Sequence, residues 1–300
     1  MIEAPSKYRK HEAFELEISS LGWGMWRFCG EDLHHAQSLV ESALECGITL
    51  FDTADIYGPD NGEPFGASEA LLGRVFEASP SLRAKMILAS KGGISIGVPY
   101  DSSPGYLASA IDASLSRLKV DRIDLWQVHR PDILTHPEEV AKALADAYAH
   151  GKIGAVGVSN FTKDQIEAFA HFNTVPFVST QPQYSPLCLE PVLHGQFDQA
   201  MRHDLLVMAW SPLGGGRIAN PQTEQEKSVA EALDKVAEDH GVSRTCAAYS
   251  WIMAHPARPI PIIGSQNTDR IREAADCYKV QWSRTAWYEV LVASTGEELP

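Results

Sequence analysis

A chain of 300 residues with 44% hydrophobic content can bury a large core, either as two domains or as one α/β barrel. Its formal charge of −14 argues against nucleic acid and against anionic membrane surfaces as partners. Five scattered cysteines (Cys29, Cys46, Cys188, Cys246, Cys277) form no Cys-x-x-Cys pair, which fits a reduced, cytoplasmic protein better than a disulfide framework or a zinc site.

In chain order, Ala13–Ile18 carries a faint hairpin signal across a barrel floor, and the apolar run Ile18–Gly24 leads to a helical pattern over Asp32–Cys46. Ile48–Asp52 reads as a strand, and Ser68–Glu77 as a helix with Ala70, Leu71, Leu72, Val75 and Phe76 on one stripe. Met86–Ser90 is a strand, Gly105–Leu118 a helix, Ile123–Val128 a strand and Pro137–His150 a helix with proline in its first turn. The second half repeats the rhythm: Ile153–Val158 then Lys163–Phe172, Phe177–Thr180 then Leu193–His203, Leu205–Ala209 then Glu224–His240, Ile260–Ile263 then Asp269–Cys277. A last helix, including Trp287–Val292, and a short polar tail follow. Eight strand-then-helix units without a linker imply parallel strands. Count and length predict a single (β/α)₈ TIM barrel over residues 1–300. No leader-like apolar region follows Met1, and no stretch approaches a spanning helix.

In such a barrel the chemistry sits where strands end. Asp52 closes a buried run, and Tyr57 follows on the loop beyond it. A turn-capping aspartate and an amphipathic tyrosine remain an equal reading of that stretch alone. Lys91 follows the third strand and His129 the fourth. Singly, these residues are a snorkelling lysine and a core histidine. Their shared address on successive strand ends makes the joint coincidence improbable.

The motifs Phe51-Asp52-Thr53-Ala54-Asp55-Ile56-Tyr57-Gly58, Ser90-Lys91, Asp124-Leu125 through His129-Arg130-Pro131-Asp132, Gly157-Val158-Ser159-Asn160-Phe161 and Ala209-Trp210-Ser211-Pro212-Leu213 stand in order along the chain. In this the chain resembles the aldo-keto reductases over nearly its whole length, and it looks like their bacterial oxidoreductase branch. The resemblance implies an NADPH-dependent reductase of aldehydes or ketones, with Asp52, Tyr57, Lys91 and His129 as catalytic tetrad and no metal. It implies a small-molecule carbonyl or alcohol substrate and assigns no oligomeric state.

The chemistry of the four residues is coherent in itself. Carbonyl reduction needs a hydride donor and a proton donor at the oxygen. Tyr57 can supply the proton, with Lys91 expected to lower its pKa, Asp52 to keep the lysine charged, and a neutral His129 to orient the substrate. By resemblance, the cofactor NADPH/NADP⁺ would meet Gly24 and Met25, then Ser159, Asn160 and Gln181 at the carboxamide, and Trp210 beneath the nicotinamide. Ser211, Leu213, Gly214, Gly215 and Arg217 would serve the pyrophosphate, and Gly264, Ser265, Gln266 and Arg270 the 2′-phosphate. Several positions depart from the family pattern: Gly264 replaces a common lysine, Ala274 an asparagine, Met25 a threonine and Trp210 a tyrosine. Channel β subunits share the fold but commonly carry asparagine at the place of His129, so the histidine favours an enzyme. A metal-dependent barrel hydrolase would need clustered ligands at the strand ends, where only His129 stands.

Overall fold

The computed structural model describes residues 1–299; Pro300, included in the expected 1–300 domain, lies outside the described residues. β1 (Tyr8–Arg9) and β2 (Ile18–Ser19) form an antiparallel hairpin, and β3 (Gly22–Gly24) follows. Next come α1 (Leu33–Glu45), β4 (Leu50–Asp52), α2 (Ala67–Ala78) and β5 (Ile87–Gly92). A second hairpin, β6 (Ile94–Ser95) with β7 (Val98–Tyr100), precedes α3 (Pro104–Leu118). The chain continues through β8 (Ile123–Val128), α4 (Pro137–Ala149), β9 (Ile153–Ser159), α5 (Lys163–Phe172) and β10 (Phe177–Gln181). α6 (Glu190–Leu193), α7 (Gln196–Arg202), β11 (Leu206–Ala209), α8 (Glu224–His240) and α9 (Arg244–Met253) follow. β12 (Ile260–Ile263), α10 (Thr268–Ala274) and α11 (Arg284–Thr295) complete the chain.

β3, β4, β5, β8, β9, β10, β11 and β12 close into a barrel in that order, each paired in parallel with its neighbours. This is the (β/α)₈ architecture the alternation predicts. Side chains alternate across a strand, so residues two apart share the barrel interior. Ile87 and Ala89 on β5, Leu125 on β8, Ala155 on β9 and Met208 on β11 fill its lower layers together with Leu50 and Ile262. Ala13, Phe14 and Leu16, in the connection of the first hairpin, pack against this cluster from below. The hairpin expected over Ala13–Ile18 is present but wider, its strands β1 and β2 flanking Ala13–Leu16, with only Ile18 of the expected segment in a strand and in the barrel cluster.

The β6–β7 hairpin is additional to the expected elements, and three further differences have physical reasons. The Ile18–Gly24 run divides because Ser20 N donates to Lys7 O (2.9 Å) and Ser19 Oγ to Leu21 O (2.5 Å), which turns the chain between β2 and β3. The helix expected over Leu193–His203 is two short ones, α6 and α7, separated at Gly195 with φ 73°. α9 had no counterpart in the sequence reading. Cys246 through Met253 are all buried, and a helix wrapped on every side shows no polar stripe to reveal its period. Trp251 on α9 stacks on Trp287 of α11 at 4.8 Å, and each indole donates to the other's carbonyl (3.0 and 3.1 Å). Truncating either aromatic would cost about 3–5 kcal/mol.

Local sequence signals set the helix starts. Thr162 and Thr223 form capping boxes with Gln165 and Glu226, and Asp32, Ser103, Ser243 and Ser283 cap their helices through side-chain oxygens. Each such cap contributes roughly 1 kcal/mol. Among the described residues no helix is long and apolar enough to cross a membrane.

Candidate active site

The inward-facing period that lines the barrel with hydrocarbon carries polar groups at its upper end. Asp52 stands two residues beyond Leu50, Lys91 two beyond Ala89, and Gln127 two beyond Leu125. β4, β5 and β8 are adjacent, with Asp52 opposite Ala89 and Lys91 opposite Gln127. Three neighbouring strands therefore raise three polar side chains into one small volume.

Lys91 is fully buried, and its ammonium uses three acceptors. Nζ donates to Asp52 Oδ2 at 2.7 Å, to Thr53 O at 2.8 Å and to the Tyr57 hydroxyl at 3.1 Å. A lysine ammonium has three protons, so all of them are committed. The Tyr57 oxygen accepts from Lys91, which leaves its own proton free to point elsewhere. Asp52 is 2% exposed. Its second oxygen, Oδ1, accepts from Gln181 Nε2 at 3.0 Å and Gln127 Nε2 at 3.3 Å. The carboxylate is thus held from both sides, and a buried charge is retained only with such pairing.

His129 follows β8, its N–H donating to Gly92 O at 2.8 Å. Its ring meets that of Tyr57 edge to face, with centroids 5.9 Å apart and planes at 78°. Nδ1 is buried without a hydrogen-bond partner.

The electrostatics follow from burial and these partners. Burial pulls the Lys91 pKa down, but Asp52 and then Tyr57 outweigh it, so the group stays an ammonium with its pKa above the usual lysine value. Burial drives the His129 pKa well below the ordinary histidine value, and the Lys91 and Arg130 charges push the same way. The imidazole is neutral at physiological pH, as the sequence reading requires. Tyr57 corrects that reading. Its pKa is raised above 10, because burial outweighs the opposing pull of Lys91 while Asp52 adds to the rise. The phenol keeps its proton in the resting protein, and Lys91 limits the rise rather than reversing it.

The expected cofactor positions line the same mouth in varied states. Ser159 and Gln181 are buried at the ends of β9 and β10 and already bonded, Ser159 Oγ to Gln181 O at 3.0 Å and the Gln181 amide to Asp52. Asn160 adopts φ 62°, and its amide is likewise engaged. Trp210 and Ser211 follow β11, with Ser211 at φ 53°. Leu213 leads into the tight turn Gly214–Gly216, where Gly215 and Gly216 have positive φ and open space beside them. A backbone of that kind can approach a phosphate closely. Arg217 bends back onto Gly214 O (2.8 Å) and Glu226 (3.3 Å). Gly24 and Met25 are buried at the end of β3, and Gln266 Nε2 donates to Gly24 O at 3.4 Å. Gln266 Oε1 is buried without a partner. Gly264, after β12, has nothing within 4 Å of where a Cβ would stand. Ser265 is half-buried and Arg270 exposed in the first turn of α10.

Gln127 and Thr53 escaped the sequence reading. The signal for Gln127 was available, since it stands midway between Leu125 and His129 on one face of β8. The Thr53 carbonyl had none, because a backbone acceptor carries no residue type. Trp26 Nε1 donates to Asp60 Oδ2 (3.1 Å), and Asn61 Nδ2 to Trp26 O (2.6 Å), which ties the loop after β3 to the one after Tyr57.

A parallel barrel thus raises an ammonium-bonded phenol and a neutral imidazole to its mouth, groups able to give a proton and to orient a bound oxygen. Residues 20–290 match the profile described as the Aldo/keto reductase family, and the chain belongs to that family. A 6-dehydroglucose reductase of Novosphingobium aromaticivorans is 56% identical over 99% of this chain and 98% of its own length. A 6-dehydroglucose reductase of Agrobacterium fabrum is 35% identical over 95% and 97%. Among solved structures, a glycerol dehydrogenase of Gluconobacter oxydans superposes with a TM-score of 0.82 at 24% identity over 98% of each chain. A thermostable aldo-keto reductase bound to the inhibitor epalrestat gives 0.81 at 23% over 95% and 99%. At these identities the two structures speak to the fold.

Proposed function

We propose that this protein reduces the aldehyde of an oxidised aldose, of the 6-dehydroglucose type, to the primary alcohol with NADPH. The balance is one carbonyl, one NADPH and one proton giving one alcohol and one NADP⁺. The observation that carries the reading is the three-way commitment of Lys91 to Asp52, Thr53 and Tyr57, which frees the tyrosine proton. The names of the relatives at 56% and 35% identity support the substrate class.

NADPH, when bound, supplies the hydride to the carbonyl carbon. The residues present suit it: Gly215 and Gly216 leave room for a phosphate, and Gln266 holds a buried oxygen without a partner. Trp210 would support the nicotinamide, Ser159 and Gln181 its carboxamide with the already engaged Asn160 beside them, and Gly24 and Met25 the adjoining ribose. Ser211, Leu213, Gly214, Gly215 and Arg217 would hold the pyrophosphate, and Gly264, Ser265, Gln266 and Arg270 the 2′-phosphate.

As charge develops on the carbonyl oxygen, Tyr57 gives it the proton. The resulting phenolate would be costly in a buried site, but the Lys91 ammonium already lies within hydrogen-bond reach. Asp52 keeps that ammonium charged and fixed. His129, being neutral, donates an N–H to the carbonyl oxygen without competing as an acid.

The test is turnover. NADPH consumption is followed with 6-dehydroglucose, simple aldehydes, ketones and unoxidised glucose in parallel. The reading requires the aldose aldehyde to be preferred by kcat/KM. No consumption of NADPH with any carbonyl would reject it.

A further inference from the structure

Asn160 occupies an unusual place in the barrel mouth. It is a non-glycine residue in the left-handed region, φ 62°, at the end of β9, a conformation that asparagine tolerates better than most residues. Its backbone N–H donates to Gln181 O at 3.1 Å, which ties it to β10. Its side chain reaches the end of the other neighbouring strand, β8, and, past β10, the end of β11. Oδ1 accepts from the indole N–H of Trp210 after β11 at 2.9 Å. Nδ2 donates to the backbone carbonyl of His129 after β8 at 3.1 Å, and to Ser159 Oγ at 2.9 Å.

An amide presents an acceptor on one side and donors on the other. The indole nitrogen is a donor only, so it can face only Oδ1. That fixes which way round the amide sits and turns Nδ2 toward His129. The His129 carbonyl can only accept, so it and the indole N–H fix the direction of the amide from opposite sides.

We propose that Asn160 is a positioning residue, bridging the Trp210 indole N–H and the His129 carbonyl so that the cofactor platform and the substrate-facing His129 are held in one register. The inference rests on the reading that Trp210 supports the nicotinamide and that His129 meets the carbonyl. A shift of the ring on Trp210 would then be felt at His129 through two hydrogen bonds. The Trp210 backbone is itself clamped, its N–H donating to Pro182 O at 3.1 Å and its carbonyl accepting from Tyr184 N at 3.3 Å. The indole is a firm anchor for the amide.

Three variants separate this role from simple stacking. Trp210→Phe keeps a flat face and removes the donor. Asn160→Gly removes the amide and keeps the backbone, since glycine adopts positive φ freely. Asn160→Asp keeps the acceptor for the indole and loses the donor to His129. Trp210→Phe is expected to lower kcat/KM for the carbonyl about tenfold, the effect of one buried hydrogen bond, and the Asn160 variants, which lose two or three, at least as much. The Trp210→Phe/Asn160→Gly double variant should fall no further than Asn160→Gly alone, because the two act through one connection. A loss near the product of the single losses, about a hundredfold or more, would overturn the proposal.

A second reading needs no turnover. The His129 ring resonances of the cofactor-free protein, followed by NMR, should move in all three variants. Unchanged resonances in Trp210→Phe would also overturn it. If the wild type consumes no NADPH with any carbonyl, the functional reading fails, and the resonances alone decide whether the brace exists.

Discussion

The Tyr57 hydroxyl lies 3.1 Å from Lys91 Nζ and accepts a hydrogen bond from it. That direction decides the role of the phenol. An oxygen that accepts from a committed ammonium retains its own proton for a third party, which in the proposed function is the substrate. Tyr57→Phe should therefore lower carbonyl reduction by about 10²–10⁴-fold, the usual range for losing a general acid. NADPH binding should stay near that of the wild type, since the ring remains. Steady-state rates and a cofactor titration followed by tryptophan fluorescence check both. Turnover close to wild type would remove Tyr57 from the role.

Asp52 and Lys91 make a prediction about stability as well as rate. Lys91→Met leaves the Asp52 carboxylate buried with only the Gln127 and Gln181 amides. Breaking a buried pair by removing one partner costs about 3–5 kcal/mol, so the urea midpoint should fall clearly. Asp52→Asn should cost activity through the orientation of Lys91. The two losses in kcat should be far from additive, because both pass through one proton donor. A double variant at the simple product of the single losses would show that the three residues do not act as a unit.

Most of the site was legible because a barrel strand has period two. Asp52, Lys91 and His129 each extend a buried run, so the sequence placed them at the mouth before any geometry was known. The helix α9 was illegible for the opposite reason, since all of Cys246–Met253 is buried and no polar face marks a period. The raised pKa of Tyr57 is not legible in the sequence, because spacing says nothing of burial. A lysine within reach lowers a phenol's pKa, yet the surrounding wall raises it further. The engagement of Gln181 with Asp52 was hidden likewise, since a side chain's partner 129 residues away leaves no local pattern.

His129 gives a pH dependence whose sign can be worked out. Its folded pKa lies well below the ordinary histidine value, mainly through burial, while in the unfolded chain it is near 6.5. Between those two values the unfolded state binds the extra proton. Stability therefore rises with pH through that window, is fully present above about 6.5, and is lost as pH falls below it. One such proton gives about 1.4 kcal/mol per pH unit. His11 and His255 shift in the same direction, again by burial first, so His129→Gln should flatten the acid slope without abolishing it. Urea unfolding across the acid range measures the slopes. Identical slopes for variant and wild type would mean that His129 is not neutral in the folded protein.

Cofactor choice is predicted to rest on Arg270. NADP differs from NAD by the 2′-phosphate alone, so any preference must come from groups that reach it. Gly264 offers no side chain there, and Arg217 is occupied with Gly214 O and Glu226. Arg270 is exposed in the first turn of α10, and among the described residues no carboxylate lies within ion-pair distance of it. The nearby Arg272 is already paired, with Glu45 and Asp269 at 3.6 Å each. A guanidinium can grip a phosphate with two parallel charge-assisted hydrogen bonds, and the Ser265 hydroxyl can add a third contact. A hydrogen bond to a charged group contributes roughly 1.5–3 kcal/mol, which corresponds to about a tenfold or greater preference. Arg270→Ala should thus weaken NADPH binding at least about tenfold and leave NADH binding nearly unchanged. Raising the salt concentration should erode the wild-type preference, because the contact is exposed. Titration of both cofactors by tryptophan fluorescence decides it: equal losses, or none, would make Arg270 an ordinary surface residue.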